Sequence, residues 1–109
     1  MKVCDIAEKL SLKPLSLADG SREITGVYIG DLLSWVMGRA ESGDAWITIM
    51  SNINIVAVAS LADVACIILA EGVVPDANVC ATAEQKGINI YTTEKTAYQL
   101  AAILAECLQ

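Results

Sequence analysis

The stretch NIVAVASLADVACIILAEG, Asn54 to Gly72, decides the fold, because on hydropathy alone it invites a membrane reading. From Ile55 to Ala70 only Ser60 and Asp63 interrupt the apolar residues. A spanning helix needs about 20 predominantly apolar residues, and a charge near its centre costs roughly 2.5–3.5 kcal/mol even on the mildest scale. Asp63 would sit near that centre. The composition also changes along the stretch: Asn54 to Asp63 carries four alanine or serine residues and reads as a small-residue helix capped by Asn54. Cys66 to Ala70 is instead a short branched apolar run closed by Glu71-Gly72, which suits a buried strand of a parallel sheet. Helix, turn at Asp63 and buried strand is the expected order.

The rest of the chain supports that unit. At 109 residues it is long enough for one core and too short for two. It is 55% hydrophobic, mostly through small side chains, which fits close packing of helices on a sheet or one face buried against a partner. A net charge of −6 and only seven scattered basic residues argue against binding to nucleic acid or to an anionic membrane. Cys4, Cys66, Cys80 and Cys107 show neither a CxxC pair nor zinc-ligand spacing, and there is no histidine to complete a site. Free thiols in a reducing cytoplasm are expected, and the N-terminus leads into an amphipathic stretch rather than a secretory signal.

Val3, Ile6, Ala7 and Leu10 follow helical spacing and make a first short helix, broken by Pro14. Leu15 to Leu17 is a minimal strand before the turn signal Asp19-Gly20, which would naturally join an antiparallel pair. Ile24 to Gly30 is a strand. Asp31 then caps a helix whose buried stripe is Leu32, Leu33, Val36 and Met37. Ala45 to Met50 is the third strand, followed by the polar corner Ser51 to Asn54. After the central unit, Asp76 caps a helix ending near Lys86 with Gly87 as its stop. Ile88 to Tyr91 is the last strand, and Thr92-Thr93-Glu94 starts a C-terminal helix with Ala97, Leu100, Ala101 and Leu104 inward. The alternation after Gly43 predicts an α/β three-layer sandwich, with a mostly parallel or mixed five-stranded sheet and helices on both faces.

In such a sheet, ligands favour the carboxyl ends of the strands, where helix N-termini present free N–H groups. Those ends carry Gly30, Asp31, Ser51, Asn52, Asn54, Glu71, Thr92 and Thr93, which form the candidate site for a small polar or anionic ligand. Helix capping uses the same residue types. Without histidine, Ser-His-Asp and Cys-His catalysis is excluded, and neither a GxxxxGK[ST] loop nor a GxGxxG fingerprint is present. No catalytic residue, resident metal or cofactor is assigned. The alternatives are a small enzyme built on the carboxylates Glu71 and Asp31 with a divalent metal, and a purely structural interaction module. Trp35, whose neighbours Leu32, Val36 and Met37 cover much of the helix circumference, is the candidate anchor of a subunit interface.

Three segments carry a family resemblance: REITGVYIGDLLSWVM (Arg22 to Met37), GDAWITIMSNINIVAVASLADVACIILAEGVVPD (Gly43 to Asp76) and AEQKGINIYTTEKTAYQLA (Ala83 to Ala101). They resemble a DRTGG domain, and the chain is similar to the N-terminal domain of HPr kinase/phosphorylase. The naming segment Ser21 to Val27 keeps the arginine and the Thr-Gly pair but not the full motif. The resemblance implies an α/β fold, a regulatory or assembly role and frequent self-association; the leading expectation is a stand-alone, non-catalytic module, a homodimer, that senses a nucleotide or phosphometabolite, serves assembly, or both. It does not imply kinase activity, because the kinase phosphate-binding loop has no counterpart in this chain.

Overall fold

The computed structural model describes residues 1–108. Its elements run α1 (Val3–Lys9), β1 (Lys13–Ser16), β2 (Gly26–Ile29), α2 (Leu33–Arg39), β3 (Asp44–Thr48), α3 (Asn54–Ala62), β4 (Cys66–Leu69), α4 (Val79–Lys86), β5 (Ile90–Thr92) and α5 (Ala97–Cys107). The central stretch is therefore helix and strand, and among the described residues no helix is long and apolar enough to cross a membrane. Asp63 ends α3 in the left-handed conformation, with φ 57°, which Asp tolerates better than most side chains.

The five strands form one mixed sheet in the order β1-β5-β4-β3-β2, parallel throughout except for the antiparallel pair β1–β5. Two apolar clusters cover its faces. Val3, Ile6 and Leu10 from the α1 segment and Leu100 and Leu104 from α5 pack with Ile47 and Ile68 on one side. Val36, Ile55, Ala59, Val79 and Ala83 from α2, α3 and α4 pack with Trp46, Ile67 and Ile90 on the other. Strands β3 and β4 are buried along their whole length, which explains why Ala45 to Ile47 and Cys66 to Leu69 read as continuous apolar runs rather than alternating ones.

Several local expectations are overturned. Asp19-Gly20 does not join a hairpin, because β1 and β2 lie at opposite edges of the sheet and β1 pairs with β5. Pro14 does not break α1: the helix closes at Leu10, Ser11 turns the chain at φ 53°, and Pro14 sits in the edge strand β1, where a missing N–H is tolerated. Asp31 does not cap α2. The cap position is Leu32, and the Asp31 carboxylate accepts from Thr48 Oγ1 at 2.7 Å and Ile49 N at 3.0 Å, bridging the ends of β2 and β3. The α2 stripe is narrower than its pattern, since only Val36 is buried while Leu32 and Met37 are exposed.

Three helix starts also shift. Asn54 is the first residue of α3, and Asn52 Oδ1 accepts from its N–H at 2.9 Å. Asn78, not Asp76, precedes α4; Gly87 does close it, at φ 74°. For α5 the cap is Thr96, in a reciprocal box with Gln99, so Thr92 to Glu94 form the loop before it.

All four cysteines are free. Burial pushes the Cys66 thiol up to about 12, and it pushes the Tyr91 phenol upward too, with the charges of Cys66 and Cys4 adding to the effect. Native Cys66 is expected to resist thiol reagents at pH 8 on a timescale where exposed Cys4 reacts at once, as read by mass spectrometry of modified protein. The linkage has one sign. The folded thiol keeps its proton where the unfolded one, near 9.0, has lost it. Stability should therefore fall as pH rises from about 9 toward 12, by at most roughly 4 kcal/mol from this group. Denaturant midpoints measured between pH 8 and pH 10.5 that fail to decline would contradict it.

Candidate functional site

The carboxyl ends of β4 and β5 and the loops leaving them enclose a cleft of about 390 Å³. Thr92, Thr93, Glu94 and Lys95 form one wall, Gly72 and Val74 a second, and Ser11 and Lys13 a third. Gly72 N donates to Thr93 O at 2.8 Å and Glu71 N to Lys95 O at 2.9 Å, so the two loops are tied together by their backbones. The Thr92 hydroxyl is committed to Val73 O at 2.9 Å. Thr93 Oγ1 accepts from Lys95 N at 3.3 Å, which leaves its hydroxyl proton for another acceptor. Lys95 Nζ reaches Leu10 O at 3.1 Å, and its remaining protons stay available.

Backbone strain accompanies this corner. Ser11, which lines the cleft, and Glu71, beside Gly72, are two of the three non-glycine residues with positive φ among the described residues, at 53° and 59°. Such conformations cost of order 1 kcal/mol or more and concentrate at ligand-binding corners.

Asp31 and Glu71 line a separate notch of about 90 Å³, together with Thr48 and Ile49. The structure thus places both candidate carboxylates in one depression, but that volume is well below the roughly 300 Å³ at which small-molecule pockets begin. Asp31 is also held by two hydrogen bonds from β3 and the residue after it. Among the described residues, no three of His, Cys, Asp and Glu come together as metal ligands.

The remaining candidates are dispersed. Gly30 O accepts from Trp46 Nε1 at 2.9 Å, and Gly30 N donates to Ile47 O at 3.2 Å, so this residue anchors the end of β2. Ser51 O accepts from Asp76 N at 3.0 Å and pins the loop before α4. Asn52 serves the turn into α3, and Asn54 lines a different groove of about 430 Å³ between α3 and α4. Trp35 is half exposed, with the Arg39 guanidinium 3.8 Å from its ring centroid, a cation–π pair one helical turn apart. Lys13 and Lys95 were missed by sequence reasoning. Neither lies in a motif, and only the antiparallel docking of β1 on β5 brings Lys13 opposite Thr92.

A family model for the DRTGG domain matches residues 5–107. The chain belongs to the DRTGG domain family. A search of curated proteins finds no match. Among solved structures, the CBS and DRTGG domains of the regulatory region of Clostridium perfringens pyrophosphatase, complexed with the activator diadenosine tetraphosphate, superpose with a TM-score of 0.74 at 16% identity. The match covers 94% of this chain and 45% of that one, so this DRTGG domain spans less than half of the clostridial region. At that identity the likeness speaks for the fold.

The residues that match the family motif in this DRTGG domain work at the opposite end of the sheet from the cleft. Arg22 Nη1 donates to Asp63 Oδ1 at 3.1 Å and Nη2 to Asp63 O at 2.8 Å, while Ser42 Oγ donates to Asp63 Oδ2 at 2.5 Å. The Ser42 hydroxyl, followed by Arg22, holds the Asp63 carboxyl below the usual carboxylate range. Thr25 lies against Gly43, whose φ of 88° favours glycine, and a Cβ on Gly26 would fall 2.6 Å from Asp44 Oδ1. Arg22, Thr25 and Gly26 thereby fasten the segment before β2 to the turns before β3 and β4.

Proposed function

We propose that this DRTGG domain is a non-catalytic regulatory module that senses a small anionic ligand, of the nucleotide or phosphometabolite class, and works as a homo-oligomer. The observation that carries the ligand reading is the cleft over β4 and β5. In a chain of net charge −6 it gathers two of the seven basic residues, Lys13 and Lys95, with Glu94 as its one acid. The spare hydroxyl proton of Thr93 and the ammonium groups are donors suited to phosphate oxygens. The acidic notch at Asp31 and Glu71 offers an anion nothing comparable. The clostridial relative, whose regulatory region is complexed with a dinucleotide activator, makes nucleotides the first compounds to test.

The test is calorimetric titration with ATP and with diadenosine tetraphosphate. Binding is expected in the wild type, and the pair Lys13→Gln with Thr93→Ala should weaken it about tenfold or more, equivalent to about 1.4 kcal/mol, without lowering the unfolding midpoint. Asn52 is a poor choice for this purpose, since its role in the turn into α3 would confound a loss of affinity with a loss of helix stability. Absence of binding to either compound, or unchanged affinity in the double variant, would reject the cleft as the site.

A further inference from the structure

The cleft over β4 and β5 keeps its charges apart. Glu94 is its one acid and Lys13 and Lys95 are its two bases, yet neither ammonium pairs with the carboxylate. The ion pairs among the described residues are Met1 with Glu23 and Arg22 with Asp63. The side-chain hydrogen bonds of the cleft go elsewhere: Thr92 to Val73 O, Thr93 to Lys95 N and Lys95 to Leu10 O.

The Glu94 carboxylate is nevertheless placed. A Cβ on Gly72 would fall 2.6 Å from Glu94 Oε2 and 3.0 Å from Oε1, so both oxygens lie where a side chain at position 72 would stand. Gly72 N donates to Thr93 O, so the carboxylate rests on the glycine without being bonded to its N–H. One side of the cleft thus presents a carboxylate with open lone pairs, while the others present ammonium and hydroxyl donors.

We propose that Glu94 sets the specificity of the cleft by accepting hydrogen bonds from hydroxyl groups of the ligand. The ligand is then a phosphate ester of a polyol, the chemistry shared by ribonucleotides and sugar phosphates, and bare inorganic phosphates are disfavoured. Charge balance carries the argument. A phosphate monoester holds about −1.5 to −2 at pH 7, which the ammonium groups of Lys13 and Lys95 match. Glu94 then remains, and it repels any further phosphate. A ligand that covers it without supplying donors leaves a desolvated, unpaired carboxylate. A vicinal diol meets both oxygens at once, and an acid reads the ribose 2′-hydroxyl in this way in dinucleotide-binding sheets. The cleft, at about 390 Å³, is near the lower end of small-molecule sites and suits one sugar with its phosphate. The inference rests on the ligand reading proposed above and adds which part of the ligand each wall takes.

Calorimetric titration in metal-free buffer with two matched pairs tests this: ATP against tripolyphosphate, and ribose 5-phosphate against inorganic phosphate. The polyol-bearing member of at least one pair should bind about tenfold or more tightly than its bare counterpart. A gap in the ATP pair alone identifies a nucleotide, and a gap in the ribose 5-phosphate pair identifies a sugar phosphate. Glu94→Gln should shrink the gap about tenfold, weakening the polyol-bearing member and strengthening the bare phosphate, two shifts of opposite sign. Glu84→Gln, on an exposed position of α4 outside the cleft, changes the net charge equally and should leave the gap as it is. A wild type that binds both members of each pair equally, or a gap that survives Glu94→Gln or shrinks as much in Glu84→Gln, overturns the role of Glu94 and leaves the cleft a simple anion site. A wild type that binds none of the four compounds overturns this inference together with the ligand reading beneath it.

Discussion

Asn89→Ala should lower the unfolding free energy by roughly 3–4 kcal/mol, a large part of the 5–15 kcal/mol that a domain of this size has. The side chain is buried and makes four hydrogen bonds. Its Oδ1 accepts from Ala18 N at 2.9 Å and Asp19 N at 2.8 Å, and its Nδ2 donates to Asp19 O at 2.9 Å and Ala65 O at 3.0 Å. One amide thus satisfies backbone groups from the loop after β1 and from the start of β4. Truncation removes all four bonds at once, and the buried one to Ala65 O loses its side-chain donor. Asn89→Asp separates geometry from size: it keeps the acceptor but turns a carboxylate oxygen toward two carbonyls, so at pH 7 it should be at least as damaging as alanine. Urea unfolding followed by circular dichroism reads both, and a loss under about 1 kcal/mol for either variant would show that water substitutes freely for the amide.

Trp46→Ala comes next, at roughly 3–5 kcal/mol, the range for emptying a large aromatic site. Trp46 is fully buried on β3 within the cluster formed by α2, α3 and α4, and its Nε1 donates to Gly30 O. Trp46→Phe keeps most of the volume and strands that carbonyl, so a loss of about 1–2 kcal/mol is expected. The difference between the two variants measures packing against hydrogen bonding. Their fluorescence offers a second reading, because the remaining tryptophan, Trp35, is half exposed and should emit to the red of the wild type. A spectrum unchanged in Trp46→Phe would mean that Trp35 is shielded in solution.

The parts of this fold legible in the sequence were those where burial writes its own pattern. Cys66 to Leu69 is buried on both faces of the sheet, so an uninterrupted apolar run identified it, and the small residues of α3 follow from close packing on that strand. The mixed sheet and the covering of both faces followed from the same alternation of elements. What stayed hidden depends on distant partners. Asp19-Gly20 has the composition of a hairpin turn, yet its backbone is claimed by Asn89, about 70 residues away. Asp31 has the composition of a helix cap, yet Thr48 competes for the carboxylate and wins. Thr92 and Thr93 could be picked out as strand-end polar residues, whereas Lys13 and Lys95 looked like any solvated lysine until β1 was placed beside β5. Local chemistry nominates a residue for a role, and tertiary contact decides which role it takes.

The pairing of β1 with β5 also sets a timetable. Ser16 bonds Ile88 O across 72 residues, and Ala18 bonds Asn89 across 71, so the first strand has no partner until the last one has been made. At the usual rate of synthesis, roughly 5–20 residues per second, the N-terminal strand waits about 4–14 s on the ribosome beside an otherwise growing parallel sheet. The three parallel strands β2, β3 and β4 can assemble during that interval, and the antiparallel edge closes last. Lys13 arrives opposite Thr92 in that same step, so the wall of the cleft that it forms is completed only after β5 has been made.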